Sequence, residues 1–193
     1  MTREIARIST RRQMAVGPSR GSNGAGAVEL SRIVDRMGGR SEAARLFPDG
    51  WVAVVRLDPL RVVWRQPSGE WAGPFPLPEE RRKVDRAERL WYLRFQGEDA
   101  IEADRGGWPD TYPEMTGTVA ASDGRLLIAR PYSAGHPEAR YLVVRRDGTV
   151  DGHLSLAPGE RIVAFGRRNV YVLAKDREDV ETIRAHRWNP TTR

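Results

Sequence analysis

The chain has 193 residues, a formal net charge of +6 and no cysteine, a length that allows one domain with an appendage or at most two small domains. The missing thiols exclude a disulfide framework, a thiolate zinc site and a cysteine nucleophile. The longest apolar runs, such as Trp51 to Val55, have strand length and fall well short of the roughly 18 residues of a membrane-spanning helix.

Met1 to Met14 carries arginines but no apolar run followed by small residues, so no secretory signal peptide is visible and a cytoplasmic location is expected for the chain as encoded. Residues 1–45 hold nine arginines against four acids, whereas residues 46–193 hold 23 basic against 22 acidic residues. The positive charge is therefore an N-terminal property. Lys83 and Lys175 are the only lysines, a bias that weakens inference from arginine number alone. Within this region Arg3–Ser9 alternates weakly and reads either as a disordered basic tail, the simpler reading, or as an edge strand. Residues 17–27 are small and glycine-rich, too poor in apolar area to offset their ordering entropy, and are read as a flexible linker. Leu30, Ile33, Val34 and Met37 then form one stripe of a short helix from about Val28 to Met37, stopped by Gly38-Gly39.

From Leu46 the period becomes that of strands. Trp51–Arg56 and Arg61–Arg65 are β-branched and aromatic runs bounded by Pro48-Asp49-Gly50 and Pro67-Ser68-Gly69, and a further strand near Trp71 runs toward Leu77. The same grammar returns in Thr116–Ala121, Arg125–Arg130, Arg140–Arg145 and Val150–Leu156, with turns at Asp123-Gly124 and Asp147-Gly148. It begins a third time in Arg161–Phe165, Asn169–Leu173 and Val180–Arg184 and stops before a fourth strand. The 74-residue pitch from Asp49 to Asp123 exceeds the ~40–45 residues of a propeller blade. A helical insertion over about 79–112 accounts for the excess: Asp85 with Glu88 resembles a capping box, Ala87, Leu90, Trp91 and Phe95 share a helical face, and Gly97 ends it. Residues 98–113 are acidic and rich in Gly and Pro, and read as an irregular loop.

The expected fold is mainly β: two to three four-stranded antiparallel β-propeller blades forming an incomplete propeller, with a helical insertion and a short N-terminal helix. The blade units fall at about 46–78, 114–158 and 160–188, after an N-terminal region of tail, linker and helix over 1–45. Several segments in series resemble a group of bacterial six-bladed β-propeller proteins, mostly without assigned function. They are Arg45–Arg56, Arg61-Val-Val-Trp64 with Pro67-Ser-Gly69, Val84–Trp91, Pro113 with Asp123-Gly124-Arg-Leu, and Val172 through Val180-Glu181. The resemblance covers about residues 45–188 and ends in Arg-Ala-His-Arg-Trp188. It implies the C-terminal portion of a longer, usually exported propeller, from which this chain departs in lacking the earlier blades and an export signal. Too few blades to close a ring imply a fragment, an open partial solenoid or a unit that closes by association. Trp51, Trp64 and Tyr171 would then lie on terminal blade faces with no complete ring to cover them, and drive homo-oligomerisation.

Chemistry-bearing constellations are sparse. His136, His153 and His186 fall in a loop, an outer strand and the tail, without ligand spacing, so no metal site and no cofactor is expected. Propeller lactonases hold a divalent metal through Glu, Asn and Asp of inner strands, but here Asn169 is alone and Asp49, Asp123 and Asp147 belong to turns. Ser133 and Ser155 have no partner nearby in sequence, Asp176 with Asp179 reads as a solvated turn, and Gly21, Gly24 and Gly26 lack the strand and Gly-Lys-Ser/Thr of a phosphate loop. No catalytic residue is assigned. Leu30–Leu46 resembles the first two helices of a helix-turn-helix within the basic region, although Pro48 and Asp49-Gly50 cut the second short. The expected function is a non-catalytic binding or scaffold module of the propeller type. The alternatives are a remnant of a lactonase-like metal-dependent hydrolase and DNA binding through the N-terminal segment. A protein partner or self-association is expected, with neither membrane nor nucleic acid favoured. The partner surface is placed at Trp91, Tyr92, Trp108 and Tyr112, against the simpler reading that these residues pack the helix on the sheet edge.

Overall fold

The structure is a computed structural model and describes residues 3–9 as backbone, together with 42–57, 59–97, 108–176, 178 and 180–188. Three four-stranded antiparallel sheets follow one another along the chain. The first is a meander of β2 (Glu42–Leu46), β3 (Val52–Arg56), β4 (Arg61–Arg65) and β5 (Trp71–Pro76), and the second of β6 (Gly117–Ala120), β7 (Leu126–Ala129), β8 (Arg140–Val144) and β9 (Val150–Ser155). The third runs from β10 (Glu160–Phe165) through β11 (Asn169–Lys175) to β12 (Val180–Arg187), and β1 (Arg3–Ser9) closes its far edge, pairing antiparallel with β12 from Arg3↔Ala185 to Ser9↔Val180. The turns carry the expected chemistry. Gly124 and Gly148 take φ of 87° and 82°, which glycine adopts without a Cβ clash. Asp123 and Asp147 accept backbone N–H bonds from Arg125 and Thr149 at 3.1 and 2.9 Å.

Two expectations at the N-terminus change. Arg3–Ser9 is a strand rather than a tail, because the edge of β12 presents a row of unpaired backbone groups that an alternating segment satisfies. Glu42–Leu46 is a strand in register with Val52–Arg56, so the first sheet opens four residues before Leu46, and the second helix of the helix-turn-helix reading does not form there. The helix expected over Val28–Met37 and the linker at 17–27 lie outside the described residues.

The sheets stack face to face. Ala53, Val55, Val62 and Trp64 of the first sheet meet Leu126, Ile128, Leu142 and Val144 of the second in one continuous cluster. Leu127, Tyr141 and Val143, on the opposite face of the second sheet, meet Ile162, Val170 and Val172 of the third. The leading strands β2, β6 and β10 lie side by side, β6 touching both others. The second sheet thus loses both faces to its neighbours, which is why its central strands read Leu-Leu-Ile-Ala and Arg-Tyr-Leu-Val-Val instead of alternating. Trp51 and Trp64 were expected on uncovered terminal faces, but both point into the first joint. Trp64 is 0% exposed and packs 5.3 Å from Phe47 and 6.4 Å from Trp51 between ring centroids. The alternation of β4 sends Val62 and Trp64 inward together, so the largest side chain of the strand lands in the joint.

At the end of the stack bearing the tight turns, polar bonds tie the sheets together. Arg146 of the second sheet reaches Asp49 of the first at 2.6 Å and lies 4.6 Å over the Trp51 ring, and the Trp188 indole N–H of the third reaches Asp123 of the second at 2.9 Å. Burial acts against ionisation of Asp49, yet the Arg146 hydrogen bond and charge hold its carboxyl below the ordinary value. No helix among the described residues is long and apolar enough to cross a membrane. Replacing Trp64 with alanine removes the centre of the first joint and is expected to lower folding stability by about 3–5 kcal/mol, read as a shifted midpoint in urea titration. The Gly148→Ala change combines the positive φ with a Cβ that would overlap the Phe75 ring, and is expected to destabilise by more than the ~1 kcal/mol that Gly-to-Ala gains at an unstrained site, by the same titration.

Candidate functional site

The opposite end of the stack holds the long connections, and there the second sheet carries a buried ion-pair cluster. Arg130 follows β7 with its side chain 1% exposed and donates to the Glu114 carbonyl at 2.7 Å, to Glu114 Oε2 at 3.0 Å and to the Pro78 carbonyl at 2.6 Å. Those acceptors belong to the two strands of chain that leave the first sheet and enter the second. Glu80 pairs with Arg140 at 3.2 Å and with Arg82 at 3.3 Å, and Arg82 in turn donates to the Ser133 hydroxyl. Burial lowers the Arg130 pKa, opposed by the charges of Glu80 and Glu114. Burial also opposes ionisation of Glu80, but the Arg140 charge and hydrogen bond prevail and hold its carboxyl below its ordinary value.

On this base sits the insertion. Helix α1 (Arg86–Gln96) starts where Asp85 accepts the Glu88 N–H at 2.9 Å and ends at Gly97 in the left-handed conformation, φ 72°, at the predicted caps. Glu88 ties the helix to the β7–β8 connection and to the end of the insertion, accepting the Ala134 N–H at 3.0 Å and the Tyr112 hydroxyl at 2.9 Å. Burial, followed by the bond to Glu88, pushes the Tyr112 hydroxyl pKa up. The buried face of the helix differs from the one expected. Leu93 and Tyr92 are buried, whereas Ala87 and Phe95 are exposed and Leu90 and Trp91 only partly covered. The i, i+4 stripe marked a real pair, on the outward side.

The four aromatic candidates separate accordingly. Tyr92 and Tyr112 are buried with Val84 in a small core beneath the helix, and Trp91 and Trp108 pack against it, Trp108 meeting Tyr92 edge-on at 6.1 Å. Trp91 also stacks on Phe95 at 5.0 Å and 20°, and Phe95 lies 5.1 Å from Tyr132 of the β7–β8 connection. An aromatic row Trp91, Phe95, Tyr132 therefore runs from the insertion onto the second sheet, with Phe95 45% exposed at its middle. Sequence reasoning left out Phe95 and Tyr132. The spacing of Trp91 and Phe95 carried part of the signal, whereas Tyr132 comes from another connection and left none.

The remaining candidates stay apart. His136 pairs with Glu138 at 3.1 Å, His153 is exposed on β9, and His186 lies on β12, lining a groove of about 320 Å³ with Leu154, Ile162 and Trp188. Asn169 opens β11, and Asp176 accepts the Glu178 and Val180 N–H groups at 2.9 Å each. Ser155 is exposed at the end of β9. Among the described residues no group of three His, Cys, Asp or Glu stands in a geometry that would hold a metal ion. Asp179, the glycines at 21, 24 and 26, and residues 30–41 of the helix-turn-helix-like segment lie outside the described residues.

Glu80 links the cluster to pH. Its carboxyl titrates below the ordinary value of 4.5 in the folded state, so its stabilising contribution is fully present above that value and is lost as pH falls from there through the lowered folded-state pKa. Stability measured by urea titration is expected to fall as pH drops below about 5, and the Glu80→Gln variant to show a shallower fall on that acid side with lower stability at pH 7.

Comparison with family models, with curated proteins and with solved structures returned no match.

Proposed function

We propose that the chain is a non-catalytic binding module built from propeller-type blades, which presents the Trp91, Phe95, Tyr132 row to a protein partner. Three observations support the blade reading: four-stranded meanders in series, face-to-face stacking, and leading strands β2, β6 and β10 side by side. The observation that carries the binding reading is the row itself. Three rings in contact, partly open to solvent, are held by one helix and one sheet connection that Glu88 and the Arg130, Glu114, Glu80 and Arg140 pairs lock together. Aromatic side chains on a rigid support are the typical anchors of protein interfaces, because they offer large contact area at small entropic cost. Loops at one end of a stacked scaffold are where such folds place recognition.

Selection of peptides from a displayed random library against the intact protein tests this reading. Binders are expected to lose about tenfold or more in affinity to a Trp91→Ala, Phe95→Ser double variant whose urea midpoint stays near that of the parent. Binders indifferent to both substitutions would overturn it, as would turnover of lactone substrates that depends on added divalent metal.

A further inference from the structure

The two ends of the stack are unlike, and each resembles one side of a joint already made inside the molecule. Counting from the turn glycines Gly50 and Gly124, Val52 and Val54 of the first sheet correspond to Leu126 and Ile128 of the second, which are the residues that bury against a preceding sheet. On the first sheet no described residue covers that face: Val52, Val54 and Val63 are only partly buried, Leu46 is 70% exposed and Trp71 58%. Tyr171 of the third sheet corresponds by strand position to Leu127, which buries against a following sheet. On that face, among the described residues, Val163 is exposed and Tyr171 and Ile183 are only partly buried, while Leu173 between them is buried.

Charge adds direction. At the first internal joint an acid on the first turn of one sheet, Asp49, meets a cation on the second turn of the next, Arg146, at 2.6 Å. At the second internal joint Asp123, again on a first turn, accepts the Trp188 N–H. At the open ends the signs are exchanged. The first turn of the third sheet carries Arg167 and Arg168, both exposed, and the second turn of the first sheet carries exposed Glu70 beside exposed Arg65. Docking unlike ends, as at the first internal joint, brings Arg167 and Arg168 to Glu70.

We propose that the partner of both ends is a second copy of this chain, docked head to tail, the first sheet of each copy on the third sheet of the other. This assignment rests on the propeller-type reading. Two copies related by a two-fold axis then place six sheets in a closed ring, within the ~4–8 that such rings contain.

Sedimentation equilibrium of the intact chain is expected to give twice 21.7 kDa at micromolar concentration. Val54→Arg should weaken association about tenfold or more without altering the monomer's secondary structure by circular dichroism. Glu70→Arg should weaken it as well, and Arg167→Glu, Arg168→Glu added to Glu70→Arg should restore it, a rescue that a purely local structural effect would not produce. A monomer at these concentrations would overturn the inference, as would association indifferent to Val54 and Glu70, or a Val54→Arg variant that unfolds as a monomer because the chain itself covers that face. Small-angle scattering of the monomer separates the two readings. A compact three-sheet stack without association removes the second copy alone, whereas a stack that comes apart removes the propeller-type reading with it.

Discussion

The second sheet is apolar on both faces, and that constraint organises the molecule. Leu126, Ile128, Leu142 and Val144 face one way, Leu127, Tyr141 and Val143 the other, and all are buried. Burying one such side chain is worth roughly 1.5–3 kcal/mol relative to exposure, so a sheet of this composition is stable only between two neighbours. The first and third sheets supply them. Neither needs to be apolar on both faces for the stack to form, and each keeps an outer face that nothing among the described residues covers.

The stack divides the polar interactions between its two ends. At the turn end, Asp49 with Arg146 and Asp123 with Trp188 are at least partly solvated and act as stitches at the rim of each joint. At the connection end, Arg130 is buried, and its two terminal nitrogens donate to two carbonyls and a carboxylate from the chain segments that link the first two sheets. A buried cation so arranged is weak evidence for net stability, because desolvation offsets much of its attraction. Its effect is directional: removal of either partner would leave an uncompensated charge, so the route of the insertion over the second sheet is held to one geometry. Helix α1 then sits where Trp91 stacks on Phe95 and Phe95 meets Tyr132 of the β7–β8 connection.

Much of the candidate site was invisible along the chain for a geometric reason. The aromatic density around residues 91–112 was plain, but its division into buried Tyr92 and Tyr112 and the outward row of Trp91 and Phe95 depends on which side of the helix meets the sheet. Helical periodicity names the faces without saying which is covered. Here Ala87, Leu90, Trp91 and Phe95 gave the more regular stripe, yet Leu93 and Tyr92 took the interior, because Glu88 is drawn toward Ala134 and Tyr112 and turns the helix with it. Tyr132, 37 positions after Phe95 in the chain, joins the row only through the β7–β8 connection.

The linear order of residues by itself determined the strands and turns of the three sheets from Val52 onward and the caps of α1, since period-two runs, Asp-Gly turns and Asp85 or Gly97 signals act within a few residues of one another. Tertiary structure alone decided three other matters. It recruited Arg3–Ser9 as the edge partner of β12, a pairing across more than 170 residues that weak alternation could not specify. It made Glu42–Leu46 a strand, where Ala and Arg favour a helix locally but the backbone of β3 offered a ladder. It also turned Trp51 and Trp64 into the first joint instead of onto an open face, because the identity of a strand's buried side is set by which neighbouring sheet arrives, and that information is distributed over the whole stack.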